Sequence, residues 1–408
     1  MAISNGAPMR TAAPLAVGSN VNDMGFNQIS ATLAEIVAQA TGQKVLAPIS
    51  TSEFVSVATT ALKTGYDPIL GAISQVISRT LFSIRPYYSK FRGLQADSIR
   101  YGNHVRKLSP VQNAPRDDDS MKPCGEGNYD QYEGCCPRVL QTNFYGINSY
   151  SRCLKIFRDQ LDSAFSGPDE FARFISMLMT NVSNMIELDK EATARYVVAN
   201  LIGGKIVGDA KNVRHLITEY NTLMGTNYTS DTIFEPEVFQ NFARWLYATI
   251  NTISGKLSNE TLEYHINVTD KPVLRHTPKR LQKIYLNAAF LNLVDTMVHT
   301  VNFDNSFMKL SDYEMVDFWQ AIGSDRSISI TPTYMLPDGS LTTPDEAVVN
   351  NNVLGVIFDE EAAGYTVVNE WSAPTPFNAR GGFSVMWWHY SHRYWNDFTE
   401  NAVVLLLD

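Results

Sequence analysis

The stretch Pro168 to Ile202, PDEFARFISMLMTNVSNMIELDKEATARYVVANLI, predicts a long amphipathic helix around which the chain is organised. Its apolar residues recur every three or four positions, the spacing of one helical face: Phe171, Phe174, Ile175, Leu178, Val182, Met185 and Ile186, then Tyr196, Val197 and Leu201. At the helical rise it would span roughly 50 Å. The sequence allows one continuous helix crossing a flat, elongated molecule, or two helices broken between Asn181 and Asn184.

The ends of this helix carry their own signals. Ser166-Gly167 offers cap candidates, and Pro168 suits the first turn. Asp169-Glu170 places negative charge at the positive end of the helix dipole. Gly203-Gly204 predicts the C-terminal end, since glycine enters the left-handed conformation that terminates helices at little cost.

Composition narrows the class of protein. A chain of 408 residues, 44% of them hydrophobic, can bury one large core or several smaller ones. Its formal net charge of -9 argues against a surface built to grip nucleic-acid phosphates. We find no secretory leader pattern and no apolar run of membrane-spanning length, so we expect a soluble protein made in the cytosol, with no membrane partner.

The four cysteines fall in one short region: Cys124, Cys135, Cys136 and Cys153. In a reducing compartment free thiols are the plain interpretation, with a metal site and a disulfide as alternatives. Zinc sites normally contain a CxxC pair, whereas Cys135 and Cys136 are adjacent, so these residues are weak metal candidates.

The N-terminal half is predicted to reach outward. Residues 1–50 are rich in small and polar residues and form an arm, and residues 51–81 carry two helical patterns. Strand-like runs at Leu81–Arg85, Ser98–Gly102 and Val139–Gly146 then flank a polar segment containing Asp117-Asp118-Asp119. This pattern predicts a long two-stranded excursion, which should lean on another surface because an isolated hairpin is marginally stable.

The remainder mixes helices and strands. Residues 205–262 have helical periodicity, and a helix is predicted to begin at Ala288. Strands are predicted at Lys283–Asn287, Val316–Trp319, Ile328–Ile330, Val353–Asp359, Phe383–Tyr390 and Ala402–Leu407. The fold class predicted from these patterns is α+β.

We find no enzymatic motif, and we predict no catalytic residue and no cofactor. His389 and His392 lie three apart in a predicted strand, where they would face opposite sides and not share a metal. A cluster of basic and aromatic residues could stack on bases or, alternatively, pair with acidic residues of a neighbouring subunit: Arg85, Tyr87, Tyr88, Lys90, Phe91 and Arg92.

The order of these parts resembles the HK97-like fold of tailed-phage major capsid proteins, and specifically those of short-tailed phages of the phi29 type. Three stretches carry the resemblance: Val139–Ile202, Lys279–Asn287 continuing to Val301–Phe303, and the aromatic close Trp387–Trp395 followed by Glu400–Val403. The likeness lies in the layout over most of the chain, and no short motif is diagnostic.

The resemblance implies a role for each part. Residues 1–50 would be an N-terminal arm along an adjacent subunit, 51–81 a helical segment and 82–150 the extended loop over a neighbour. Residues 151–204 would form the peripheral domain with spine helix 168–202, and residues 205–380 the axial domain. Residues 381–408 would be C-terminal strands returning to the peripheral domain.

The function implied is a major head protein that self-assembles into hexamers and pentamers of an icosahedral or prolate shell around double-stranded DNA. Expected partners are further copies of the chain, a portal protein, scaffolding, head-fibre or decoration proteins, and packaged DNA as a non-specific neighbour. The expected location is the virion, after assembly in the host cytoplasm. An encapsulin-like cellular shell and a cysteine-site metalloprotein are the alternatives.

Overall fold

The computed structural model describes residues 26–41, 47–48, 50–63, 68–69, 91–96, 104–112, 118–123, 132, 134, 136–269, 272–299, 313–320 and 325–408. The predicted strands at Leu81–Arg85 and Ser98–Gly102, and most of the predicted arm, lie outside these residues.

The helices of the described residues are α1 Phe26–Thr41, α2 Thr51–Lys63, α3 Arg158–Ala164, α4 Pro168–Gly208, α5 Leu216–Met224, α6 Pro236–Leu257 and α7 Ala288–His299. The strands are β1 Val105–Val111, β2 Arg138–Phe144, β3 Ile147–Phe157, β4 Val213–His215, β5 Gln282–Asn287, β6 Glu314–Val316, β7 Ile328–Ile330, β8 Tyr334–Met335, β9 Leu341–Thr342, β10 Val348–Asn350, β11 Val353–Asp359, β12 Ala363–Pro374, β13 Phe383–Asn396 and β14 Ala402–Leu406. None of the helices described is long and apolar enough to cross a membrane.

Helix α4 is continuous over 41 residues, so the alternative of two helices broken between Asn181 and Asn184 is wrong. Asn181 is exposed, while Val182 and Ile186 stay buried on the apolar face. The side chain of Asn181 therefore faces solvent, and the apolar face of the helix continues past it.

The predicted end at Gly203-Gly204 is also wrong, because α4 runs on to Gly208. A Cβ added at Gly204 would lie 2.5 Å from Cζ of Phe398, and one at Gly203 would lie 2.8 Å from Cγ2 of Ile330. Glycine is needed here for close packing rather than for a left-handed cap.

The chain divides into two compact units, and α4 contributes to both. The first unit comprises Met1–Tyr88, Ser149–Leu188 and Asn369–Tyr390. Its core joins the first half of α4 to α1, α2 and α3 and to inward side chains of β3 and β13, among them Ile156 and Trp388. Strands β12, β13 and β3 form a three-stranded sheet in that order.

The second unit comprises Ser89–Asn148, Asp189–Val368 and Ser391–Asp408. Its five-stranded sheet has the order β4-β14-β11-β5-β6, with β11 antiparallel to both neighbours. Alternate side chains of β5, β11 and β14 point to the second half of α4 on one face and to α5, α6 and α7 on the other. Burial on both faces explains the uninterrupted apolar run of β11.

Most strand predictions inside the described residues are confirmed, with three corrections. Val213–His215 is a strand inside a region predicted to be helical, because it adds parallel to β14 at the sheet edge. Trp319 lies outside β6: its buried indole donates to the carbonyl of Val353 from a bend, which fills the core without strand pairing. Strands β1, β3, β8, β9, β10 and β12 were not predicted as separate strands.

Candidate functional site

Strands β1 and β2 form a two-stranded pair within the predicted excursion, here called the hairpin; β2 matches the predicted strand Val139–Gly146, whereas β1 was not predicted. They pair antiparallel from Val105 opposite Phe144 to Val111 opposite Arg138. Side chains alternate between the two faces of such a pair. The inner face, which carries Lys107, Ser109 and Val111, turns toward the body of the second unit, whereas the outer face is exposed.

Lys107 anchors the inner face through an ion cluster. Its ammonium lies 3.0 Å from a carboxylate oxygen of Asp397 and 3.0 Å from one of Glu361, and it donates a short hydrogen bond to Glu400. The side chains of Asp397 and Glu400 are almost fully buried. Both belong to the turn immediately before β14, so the hairpin is tied to the central sheet.

Arg275 makes a second link between the same turn and the hairpin. One guanidinium nitrogen donates to Oγ of Ser109 at 2.8 Å and lies 3.1 Å from Glu400. Nε donates to the carbonyl of Thr399 at 3.1 Å. Two neighbouring inner-face residues of β1 are therefore fixed by charged groups of the body.

The cluster shifts the acid-base behaviour of its members. Burial raises the pKa of Glu400 from 4.5 to about 7, against the opposing effect of Lys107 and Arg275. For Lys107, burial alone would lower the pKa, but the charges of Asp397 and Glu400 and their hydrogen bonds outweigh it and raise the pKa. The lysine stays protonated, and the titrating group near neutral pH is Glu400.

The outer face of the hairpin is different in character. Leu108 and Val139 are exposed there, and Pro110, directly opposite Val139, is exposed with them. Exposed apolar side chains grouped on one face mark interaction surfaces more often than isolated ones do. The hairpin is thus fixed on one side and available for contact on the other.

Sequence reasoning missed the ion cluster, although signals were present. Lys107 lies on the same strand face as Val105, Ser109 and Val111. A charged residue on a face that turns inward requires a partner of opposite charge. Its partners Asp397 and Glu400 directly precede the last apolar strand. The sequence alone gives no sign that Lys107 and Asp397, which are 290 positions apart, form a pair.

The structure does not bring the predicted metal candidates into a site. Cys136 and Cys153 are free and exposed, and Cys124 and Cys135 lie outside the described residues. Among the residues that are described, no group of three or more His, Cys, Asp or Glu side chains is placed to hold a metal. The state of the remaining two cysteines stays a prediction.

The two histidines lie on β13, as predicted, in different surroundings. His389 is half-buried and stacks on Trp371 with ring centroids 4.2 Å apart. His392 is fully buried and packs edge-on against Tyr365 at 6.1 Å. The strand alternation thus separates them.

One member of the basic and aromatic cluster is a core residue. Phe91 is fully buried, stacked on Tyr285 at 5.3 Å, and the guanidinium of Arg195 lies 5.4 Å from its ring centre. Phe91 therefore cannot stack on a base, which corrects that part of the prediction. Arg85, Tyr87, Tyr88 and Lys90 lie outside the described residues, and nothing is described of the side chain of Arg92.

Comparison with solved structures identifies the architecture. The capsid of Staphylococcus phage Andhra aligns with a TM-score of 0.51 at 12% identity, over 80% of this chain and 86% of that chain. A chain from the structure of the head fibre and inner core protein gp22 of native bacteriophage P68 aligns with a TM-score of 0.49 at 11% identity, over 78% and 85%. The α+β fold is the HK97-like fold of phage capsid proteins.

The family follows from the sequence itself. The model of the Phi29-like phage major capsid proteins matches residues 35–406, and the chain belongs to that family. No curated protein sequence gives a significant match. The protein is a phage major capsid protein, a shell-forming component of the virion.

Proposed function

We propose that copies of this chain assemble, without any catalytic role, as hexamers and pentamers of a closed shell around double-stranded DNA, inside the host cytoplasm. Membership of the family supports assembly into a shell. The hairpin supports a specific surface through which copies contact one another. Its buried inner face is fixed to the second unit by Lys107 and Arg275, while its outer face presents Leu108 and Val139 to solvent.

The two-faced hairpin is the observation that carries this proposal. Apolar surface left in water costs about 25 cal/mol per Å² relative to burial, so covering the outer face favours association. A strand pair already fixed in place loses less conformational entropy on binding than a free loop. The ion cluster therefore presents each neighbour with a preorganised contact surface.

The predicted roles of the parts enter the proposal with the same bounds: residues 1–50 as the arm, 82–150 as the extended loop, 151–204 as the peripheral domain, 205–380 as the axial domain and 381–408 as the returning strands. Within these bounds α1 packs in the core of its own first unit, and β14 belongs to the five-stranded sheet of the second unit. The partners are a portal protein and scaffolding, head-fibre or decoration proteins. Packaged DNA is a non-specific neighbour, because a net charge of -9 gives weak attraction for phosphates.

Electron microscopy of the purified chain tests assembly. We expect shells, or rings of six and five copies, and we expect Leu108→Glu with Val139→Glu to prevent them while leaving the circular dichroism spectrum unchanged. The matched control is Leu341→Glu, since Leu341 is also apolar and exposed but belongs to β9 and not to the hairpin. A protein that remains monomeric under all assembly conditions would refute the proposal.

A second experiment separates a phage head from a cellular compartment of the same fold. Particles isolated from infected cells should protect double-stranded DNA from nuclease and should contain a portal protein. Particles that enclose no DNA and instead carry a cellular cargo protein would favour the encapsulin-like alternative.

A further inference from the structure

A short segment of the second unit, residues 272–283, concentrates positive charge in an acidic chain. It contains Arg275, Lys279, Arg280 and Lys283 but no aspartate or glutamate, whereas the whole chain has 42 acidic against 33 basic residues. Lys279 and Arg280 are exposed, and Lys283 is half-buried. The segment therefore reverses, locally, the charge of the chain.

The backbone that carries these cations is fixed by hydrogen bonds. The N–H of Thr277 donates to the carbonyl of Leu257 at 2.7 Å, so the segment runs beside the last turn of α6, which carries the exposed Lys256. The buried amide of Gln282 donates to the carbonyls of Ser254 and Thr277 at 2.9 and 2.8 Å. We call the four cations on this ordered part of the second unit the basic patch: Lys256, Lys279, Arg280 and Lys283.

The basic patch lacks the carboxylate partners that other cations of the same unit have. Lys107, Lys205 and Arg275 each lie within 3.1 Å of a carboxylate oxygen. Within the part of the chain that the structure describes, no carboxylate oxygen lies within 4.0 Å of a charged nitrogen of the patch. Glu360 is bonded to the segment only through its backbone, whose N–H donates to the carbonyl of Leu281 at 3.0 Å. Positive charges held without counter-charges attract an anionic partner.

The surroundings of the basic patch favour a phosphate partner over an acidic protein. No large apolar side chain is exposed among residues 272–283, whereas specific protein interfaces have an apolar core that carries most of the binding energy. Phosphate contacts need only positive charge and hydrogen-bond donors, and lysine and arginine supply both. The basic patch therefore fits a polyanion that is bound through its charge and not through its shape.

We propose that the basic patch faces the interior of the shell and binds phosphates of the packaged double-stranded DNA. The inference rests on the proposed function, which supplies a shell that encloses DNA. A few phosphate contacts in each copy give weak binding that is independent of sequence and falls steeply with salt. Many copies acting on one DNA molecule add to that binding. Contacts this weak hold the outermost DNA near the shell and still let it slide and leave.

The reactivity of lysines in assembled particles tests this contact. Particles filled with DNA, and particles emptied of it, would be treated with a small acetylating reagent, and the modified lysines would be quantified by mass spectrometry. We expect Lys256, Lys279 and Lys283 to react about tenfold more slowly in filled particles, because an ammonium held at a phosphate is screened from the reagent. Lys155, an exposed lysine of the first unit, is the matched control and should react equally in both.

Two other patterns of reactivity would overturn the contact. Fast reaction of the three lysines in both filled and empty particles would show that DNA does not touch the patch. Slow reaction in both would show that protein covers it, either a neighbouring copy or an acidic partner. In each case the particles exist and enclose DNA, so the proposed function would stand. Particles that never contain DNA would instead overturn the proposed function, and this contact with it.

Removal of charge tests the same contact in the unassembled chain. Fluorescence anisotropy of a short labelled duplex would measure its affinity for the full-length protein over a range of low salt concentrations. The combined changes Lys279→Gln, Arg280→Gln and Lys283→Gln should weaken binding about tenfold or more. They should also reduce the slope of log affinity against log salt by about 2.7, since each phosphate contact contributes about 0.9.

The matched control removes the same formal charge at exposed positions of the first unit: Lys155→Gln, Arg173→Gln and Arg380→Gln. It should leave the affinity within about twofold of the wild type, because a distant charge is screened by salt. Equal losses in the two variants would mean that binding follows net charge and not the basic patch, and would overturn the assignment. A wild-type chain that binds no duplex even at low salt would overturn it as well.

Discussion

Two lysines of the second unit, one fully buried and one partly buried, differ in how their charges are paired. Lys205 on α4 is fully buried and has a single carboxylate, that of Asp209 at 2.7 Å, with the carbonyl of Tyr264 at 3.3 Å. Lys107 on the hairpin is 17% exposed and faces the carboxylates of Glu361, Asp397 and Glu400. The first pair joins the last turn of α4 to the residue that directly follows the helix, whereas the second cluster joins distant segments.

The pKa values of the two ammonium groups move in opposite directions. Burial lowers the pKa of Lys205, and Asp209 offsets only part of that effect. At Lys107 the surrounding carboxylates more than offset burial, so the pKa rises. Loss of the single partner of a deeply buried charge strongly destabilises the fold. A charge near the surface with several partners instead joins the segments that carry those partners.

The largest effect should therefore come from Asp209→Ala. It leaves the ammonium of Lys205 buried without a counter-charge, and we expect a loss of about 3–5 kcal/mol in the free energy of unfolding. Urea denaturation of the unassembled protein measures it. Asp345→Ala, at an exposed acid, is the control and should change stability by less than about 0.5 kcal/mol. A loss below about 1 kcal/mol for Asp209→Ala would show that the pair is not needed.

Lys107→Met should have a smaller and more local effect. Arg275 still faces Glu400 in this variant, and methionine keeps part of the apolar stem, so we expect a loss of about 2–3 kcal/mol. Hydrogen exchange should show faster exchange in Val105–Val111 and unchanged protection in α4. Equal acceleration in both would mean that the cluster stabilises the whole unit and does not specifically fasten the hairpin.

The difference between local and long-range contacts also explains which features of the fold could be predicted from the sequence. The apolar period of α4 continues past Asn181, and its helical geometry is local, so its existence and start followed from the pattern. Its end did not follow, because Gly204 is set by the ring of Phe398 almost 200 residues later in the chain. Local periodicity is visible in one sequence, and close packing between distant segments is not.

The same reasoning applies to the sites. Lys205 and Asp209 are four apart at the C-terminal end of α4, a spacing at which a pair can be predicted. Lys107 and Glu400 are 293 residues apart, and only the position of β1 against the turn before β14 brings them together. The second strand of the hairpin was predicted at Val139–Gly146, but the position of β1 and the ion pairs that fix it required the tertiary structure.

The smallest effect should be a pH dependence that distinguishes the two sites. The pKa of Glu400 is raised from 4.5 to about 7 mainly by burial, so between these values the folded protein holds a proton that the unfolded chain releases. This contribution to stability is complete below about pH 4.5 and is lost as the pH rises through about 7.

Urea midpoints measured from about pH 5 to about pH 8 test this dependence, because subtracting the Glu400→Gln curve from that of the wild type cancels all other titrating groups. The difference should fall with rising pH. The exposed Glu361, changed to Gln, is the control and should leave the wild-type curve nearly unaltered. Lys107→Met removes a cation that favours the charged carboxylate, so the fall should move to higher pH in that background. A difference curve that is flat, or that rises with pH, would mean that Glu400 is ionised throughout and that its ion pairs outweigh its burial.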